Sequence, residues 1–215
     1  MNLVGNATYY CFDGAAKIVD DHDALNQTVR LFHAVIDIVN KNCAQPVLAT
    51  LQHTFRIVTE FNAARSLAPK VNGMVSGEVS GFFKVTSQLM LIVADFRGLL
   101  GWLEKMGMAT VAEISMQMGR IPVLGKLTTV LFLPGAQSTF SVMGFILSFT
   151  DGAVEAIDRG LSWKLVLKQI GNLSKITGVL LIGYTSYGCF MLGAVANSIG
   201  SLSYLGGFLM TAYGL

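Results

Sequence analysis

The sequence predicts an all-α fold: a helical membrane protein with an N-terminal amphipathic helical hairpin and two apolar C-terminal lobes. Three observations predict it. Residues 176–215 contain no Asp, Glu, Lys, Arg or His, and a second charge-free run covers residues 127–150. The chain is 53% hydrophobic and 13% charged, where a soluble domain carries about 25% charged residues. The charges it does have lie outside those two runs, and in the N-terminal third they sit among apolar residues at helical spacing.

Composition also excludes several classes of function. The net charge is +2 and the basic residues are scattered, so no nucleic-acid footprint is expected. The 3 cysteines, Cys11, Cys43 and Cys189, are odd in number and far apart, which argues against a disulfide framework or a paired-cysteine metal site. The first basic residue is Lys17, so the N-terminus does not read as a secretory signal and delivery to a membrane is expected through internal segments. The sequons at Asn6, Asn26 and Asn172 are read as chance.

Taken in order, Asp13-Gly14 reads as a break and residues 15–42 as the first helix. Leu25, Val29, Phe32, Ile36 and Val39 recur at alternating spacings of four and three, one apolar stripe of a helix expected to pack on a partner. Asp20, Asp21 and Asp23 suit its start and Lys41 its end. Pro46 opens a second helix over 46–67, which Pro69 ends. Residues 1–70 therefore form a polar-faced hairpin that does not span a membrane. The glycine-rich stretch 70–81 reads as a hinge, and residues 71–126 as hinge plus apolar or interfacial helices.

Within 82–106 the apolar run is interrupted by Asp95 and Arg97, and an ionisable group inside an apolar helix is a functional candidate by default. Pairing with a cation of another helix is the simplest expectation for Asp95. Trp102 is an interfacial candidate. Residues 107–121 read as a short helix whose methionines serve as core filler.

Residues 127–215 form the membrane-embedded region. Pro134-Gly135 divides its first lobe, and Gly144, Ser148 and Gly152 form a small-residue ridge suited to helix packing. Residues 151–175 read as a polar loop lying on the membrane, with Trp163 at headgroup level. Roughly forty residues of tail are long enough for two passes, with a turn at Asn197-Ser198 and a small pair at Ala196 and Gly200.

A search for chemistry returns little. His22, His33 and His53 lack metal-ligand spacing, and no phosphate loop, dinucleotide fingerprint or nucleophile elbow occurs. The expectation is a protein with no catalytic residues, metal or cofactor.

The order of parts, with ADFRGLLGWLEKMG and SFTDGAVEAIDRG ahead of a glycine-rich apolar tail, resembles the peroxin-eleven family of peroxisomal membrane-elongation proteins. The basic, leucine-rich helix expected early in that family is missing here. The two-lobed hydropathy also resembles chlamydial inclusion-membrane proteins. The first resemblance implies a peroxisomal membrane and membrane bending by amphipathic helices; neither carries over a functional residue. The favoured expectation is a non-enzymatic membrane protein that shapes or organises a bilayer or recruits partners. Its partners would be lipid, further copies through the glycine-rich helices, and a protein on the N-terminal hairpin. The alternatives are a small oligomeric transporter or channel subunit and a soluble helical bundle with a very apolar core.

Overall fold

The computed structural model describes residues 3–43, 81–105, 135–182 and 186–214 as continuous segments, with single residues described between them. These segments hold α1 (Leu3–Asp20), α2 (His22–Cys43), α3 (Phe82–Lys105), α4 (Ala136–Arg159), α5 (Trp163–Ile182) and α6 (Tyr187–Ala212). No strand occurs among the described residues, so the fold is all-α.

The helix boundaries follow local chemistry that sequence reading partly misassigned. Asp13-Gly14 lies inside α1, and the chain breaks at Asp21 instead. There the Asp21 carboxylate accepts the Ala24 N–H at 2.8 Å, an N-cap that starts α2. The acid cluster does mark a helix start, but of the second helix. In the next expected helix, Val47, Leu51, Thr54, Val58 and Arg65 are helical. So are Val71, Asn72, Met74 and Val75, inside the expected hinge, whose other described residues are a turn at Ser76 and a bend at Gly81. Further on, Glu113 N–H donates to Thr110 Oγ1 at 3.2 Å while Thr110 N–H donates to the Glu113 carboxylate at 2.9 Å. This reciprocal capping box precedes Glu113, Met116 and Gly119, each of which is helical. Met116 is exposed there and fills no core.

The two expected lobes become three helices. Residues 151–159 finish α4 and 163–175 begin α5, so the polar stretch is helical rather than a surface loop. The turn needs only residues 160–162. Gly160 takes φ 84, a left-handed value that favours glycine, and Ser162 Oγ accepts the Leu165 N–H at 3.2 Å to cap α5. The charges remain in helix because they pair across its surfaces: Arg159 with Glu155 at 3.9 Å, and Lys168 of α5 with Asp151 of α4 at 3.5 Å. The turn expected at Asn197-Ser198 is absent, since both residues lie mid-way along α6. Gly135, in contrast, does interrupt the chain where expected, immediately before α4, with φ 78.

The helices pack in the succession α2, α6, α5, α4, α3. An ion pair between Arg30 of α2 and Asp95 of α3, at 3.5 Å, then ties the first of these to the last. The starts of α2, α3 and α5 and the ends of α4 and α6 share one end of the bundle, because Asp23, Lys84, Lys168, Asp151 and Phe208 line one cavity there.

Burial in this bundle is inverted relative to a water-soluble domain. Among the described residues, the largest side chains buried beyond 98% are both polar, Asn172 and Ser201. Met143, Ile146 and Phe149 of α4, Leu173 and Leu180 of α5, and Leu192, Val195, Ile199 and Leu202 of α6 all face outward. α4, α5 and α6, at 24, 20 and 26 residues, are long and apolar enough to cross a membrane, given a hydrocarbon core of ~30 Å and ~1.5 Å of rise per residue. Even α2 follows the inverted plan. Val29 of its expected stripe is buried, but Phe32 and Val39 are exposed, and Gln27, Arg30 and Asp37 line half-open cavities between the helices instead.

Two predictions arise from this packing. A Cβ at Gly193 would stand 3.0 Å from both the Gly178 carbonyl oxygen and the Ile182 nitrogen of α5. Gly193→Val should therefore push α5 and α6 apart and cost about 1–3 kcal/mol, read as a lowered thermal midpoint in detergent. Gly188→Ala, whose Cβ would meet only Ser186 Oγ at 4.0 Å, should leave the midpoint unchanged or raised.

The second concerns α1, which is tied to the C-terminal turn by Lys17 lying 3.8 Å over the Tyr213 ring. Asp13 bonds Lys17 and Tyr213, and these bonds hold its carboxyl below the usual range. A depressed carboxyl contributes stability above its unfolded pKa and loses it as pH falls through the folded one. Amide exchange within Leu3–Asp20 should accordingly speed up relative to α5 in acid and not in mild alkali.

Candidate functional site: a buried polar core

The centre of the bundle holds two linked sets of polar side chains. The first surrounds Asn172, which is 0% exposed on α5. Its amide nitrogen donates to Ser148 Oγ of α4 at 3.1 Å and to Gln169 Oε1 at 3.3 Å. Its carbonyl oxygen accepts the Tyr204 hydroxyl of α6. Gln169 in turn donates to the Phe149 carbonyl at 2.8 Å. Both amide protons and the acceptor of Asn172 are thus used, as burial requires. One residue pins α4, α5 and α6 together.

The second set surrounds Lys175, one turn further along α5 and 3% exposed. Its ammonium donates to Ser201 Oγ at 2.6 Å and to the Asn197 carbonyl at 3.2 Å. The Ser201 hydroxyl passes the chain on to Gln27 Oε1 of α2 at 3.3 Å. The stem of Lys175 lies against Gly200, where a Cβ would be 3.1 Å from its Cγ and Cε. The same Cβ would stand 3.2 Å from the Gly171 carbonyl oxygen, so a side chain there would press on both the lysine stem and the α5 backbone. None of these partners carries a negative charge.

Cavities open on either side of this core. One of about 370 Å³ is lined by Arg30, His33, Asp37, Lys175 and Asn197, and one of about 320 Å³ by Lys84, Ser148, Asp151, Lys168 and Tyr204. Phe145 borders both. A third, of about 440 Å³, lies near the α4–α5 turn, with Glu155, Lys164 and Tyr204 in its wall. The polar core and Phe145 therefore stand between two chambers, each half open to the surface.

The residues singled out from sequence are distributed around this arrangement. Asp95 pairs with Arg30, a cation of another helix as expected. The Arg97 guanidinium runs along α3 instead, 3.4 Å from where a Cβ at Gly101 would be. The ridge of Gly144, Ser148 and Gly152 faces two neighbours. Gly144 abuts Leu91 of α3 and its carbonyl accepts the Ser87 hydroxyl at 2.8 Å, while Ser148 and Gly152 meet Asn172 and Gln169 of α5. Gly200 packs on Lys175, and Ala196 is half-buried. These small residues are used within the chain. Trp163 is exposed at the start of α5. Trp102 lies on α3, with its side chain outside the described residues, as is that of His22. His33 sits 3.6 Å from Asp37, and His53 lies outside the described residues.

Sequence reading missed Lys175, Asn172, Ser201, Tyr204 and Gln27. A signal for most of them exists. Lys168, Asn172 and Lys175 recur at four and three, as do Asn197, Ser201 and Tyr204, so each helix carries a polar stripe through an otherwise apolar surface.

Tyr204→Phe should strand the Asn172 oxygen and cost about 1–2 kcal/mol. In an Asn172→Leu background the same change should cost almost nothing, a coupling that a double-mutant cycle of unfolding in mixed detergent would expose.

Compared with protein-family models, curated proteins and solved structures, the chain gives no match.

Proposed function

We propose that this chain is an integral membrane protein whose polar core binds a small polar solute and offers it a passage between the two chambers. The observation that supports this reading is Lys175, buried to 3% exposure in a helix apolar enough to span. Burying a cation without a counter-charge costs several kcal/mol, and ionisable groups retained inside membrane helices mark ion or substrate paths by default. Arg30, Asp95, Asp151 and Lys168 add further inward-facing charges. This passage is non-enzymatic, and Gly144, Gly152 and Gly200 pack against neighbours within the chain.

Membrane shaping or partner recruitment is retained as a second reading because of α1, on which Phe12 and Val19 are 73% and 62% exposed. An amphipathic helix with such residues can wedge into a bilayer interface.

An alkaline carbonate wash tests the embedding: the full chain should stay with the membrane pellet, and its release would overturn the proposal. Reconstituted liposomes then separate the two readings. Under the passage reading, liposomes bearing the chain swell when challenged with chloride, nitrate, glycine or urea. Lys175→Met and Asp95→Asn reduce that flux at least tenfold, whereas Phe12→Ser with Val19→Ser leaves it intact. The shaping reading predicts the reverse: liposome deformation that needs Phe12 and Val19 and ignores Lys175. Deleting residues 15–67 does not discriminate, because Gln27 and Arg30 belong to the core.

A further inference from the structure

The passage reading leaves open which solute the core would accept, and the wall of the cavity of about 370 Å³ speaks to it. Two cations, Lys175 of α5 and Arg30 of α2, line it together with one carboxylate among the described residues, Asp37. Asp37 has His33 beside it at 3.6 Å, and the charge of Arg30 is met from behind by Asp95 at 3.5 Å. Lys175 is different. Its hydrogen bonds end on a hydroxyl and a backbone carbonyl, and among the described residues no ion pair joins it to a carboxylate. Arg30 also has an unspent donor, since its buried Nε has no hydrogen-bond partner among the described residues.

Resting on the passage reading, we propose that this cavity is an anion site. A small monovalent anion, a halide or a short carboxylate, binds between the Lys175 ammonium and the Arg30 guanidinium. The anion supplies the negative charge that Lys175 lacks and the acceptor that Arg30 Nε lacks, as charge-assisted bonds in a low-dielectric setting. The volume suits an ion of a few heavy atoms that keeps part of its water. Asn197, whose carbonyl already holds Lys175, fixes the ammonium at the cavity wall. On the opposite side of the core, the cavity of about 320 Å³ offers Lys84 and Lys168 to an anion but faces it with Asp21, Asp23 and Asp151. The Lys175 side is therefore the selective one.

The test uses the purified full-length chain in a neutral detergent. Its thermal midpoint is followed while sodium chloride, sodium nitrate or sodium lactate replaces sodium HEPES at constant ionic strength. A site predicts a saturable rise, and the chloride and lactate arms tell a halide from a carboxylate. Lys175→Met should weaken the apparent affinity at least tenfold. Arg30→Lys, which keeps the charge facing Asp95 but removes Nε, should weaken it several-fold. Lys164→Met, at the exposed start of α5, should leave it unchanged. Where Lys175→Met does not fold, Lys175→Gln and Arg30→Lys make the same comparison.

A midpoint that rises linearly without saturating, or equally in wild type and Lys175 variants, overturns the anion site; so does no response at all. The two levels of inference fail separately. Saturable, Lys175-dependent binding without liposome flux upholds the site and removes the passage. Flux of glycine or urea without anion binding upholds the passage and removes the site.

Discussion

The arrangement depends on keeping an asparagine and a lysine inside a bundle whose outer surface is apolar. In lipid, apolar side chains gain little by turning inward, so helices associate through close backbone approach and polar contacts. Asn172 and Lys175 fit that regime. Each hydrogen bond contributes modestly, but an unmet amide or ammonium at that depth costs far more. The three helices are therefore locked in register by the penalty of separating them. Asn172 fixes α5 against α4 and α6, and Lys175 carries the link through Ser201 to α2.

Small residues make those bonds geometrically possible. Gly171 lies against the Tyr204 ring, Gly178 against Asn197, and Gly200 against the Lys175 stem. A methyl group at any of them would stand within about 3 Å of its neighbour, closer than ordinary van der Waals contact. The glycines and the polar residues are one device. The former bring backbones close, and the latter use the proximity.

The same device explains the inverted α2. A helix with Gln27, Arg30 and Asp37 on one side and Phe32, Val35 and Val39 on the other would bury the apolar side in water. Here it turns the polar side inward, because Ser201 and Asp95 wait there as partners. Two chambers result, one on each side of the core, and their walls carry most of the inward charge. The candidate site is thus built from the same residues that hold the bundle together.

The helical class and the apolar character of the C-terminal half were legible in the sequence, because they depend only on composition and on the 3.6-residue period. Asp95 was legible as well, since a lone charge in an apolar run needs no structure to be noticed. Its partner was not: Arg30 sits in a distant helix, and nothing local distinguishes it from the other cations of the N-terminal third. Asn197-Ser198 read as a turn because those residues favour turns locally, yet tertiary contact with Lys175 and Gly178 overrides that preference and keeps α6 continuous. The charged stretch 151–175 read as a loop for a similar reason. By itself the sequence determined that the C-terminal half is apolar and where single charges interrupt it, but not that a helix long enough to span begins inside the charged stretch, at Trp163. Only the tertiary structure decided which side of each helix faces inward, because that choice is made by pairs of polar groups far apart in the chain that must satisfy one another once water is excluded.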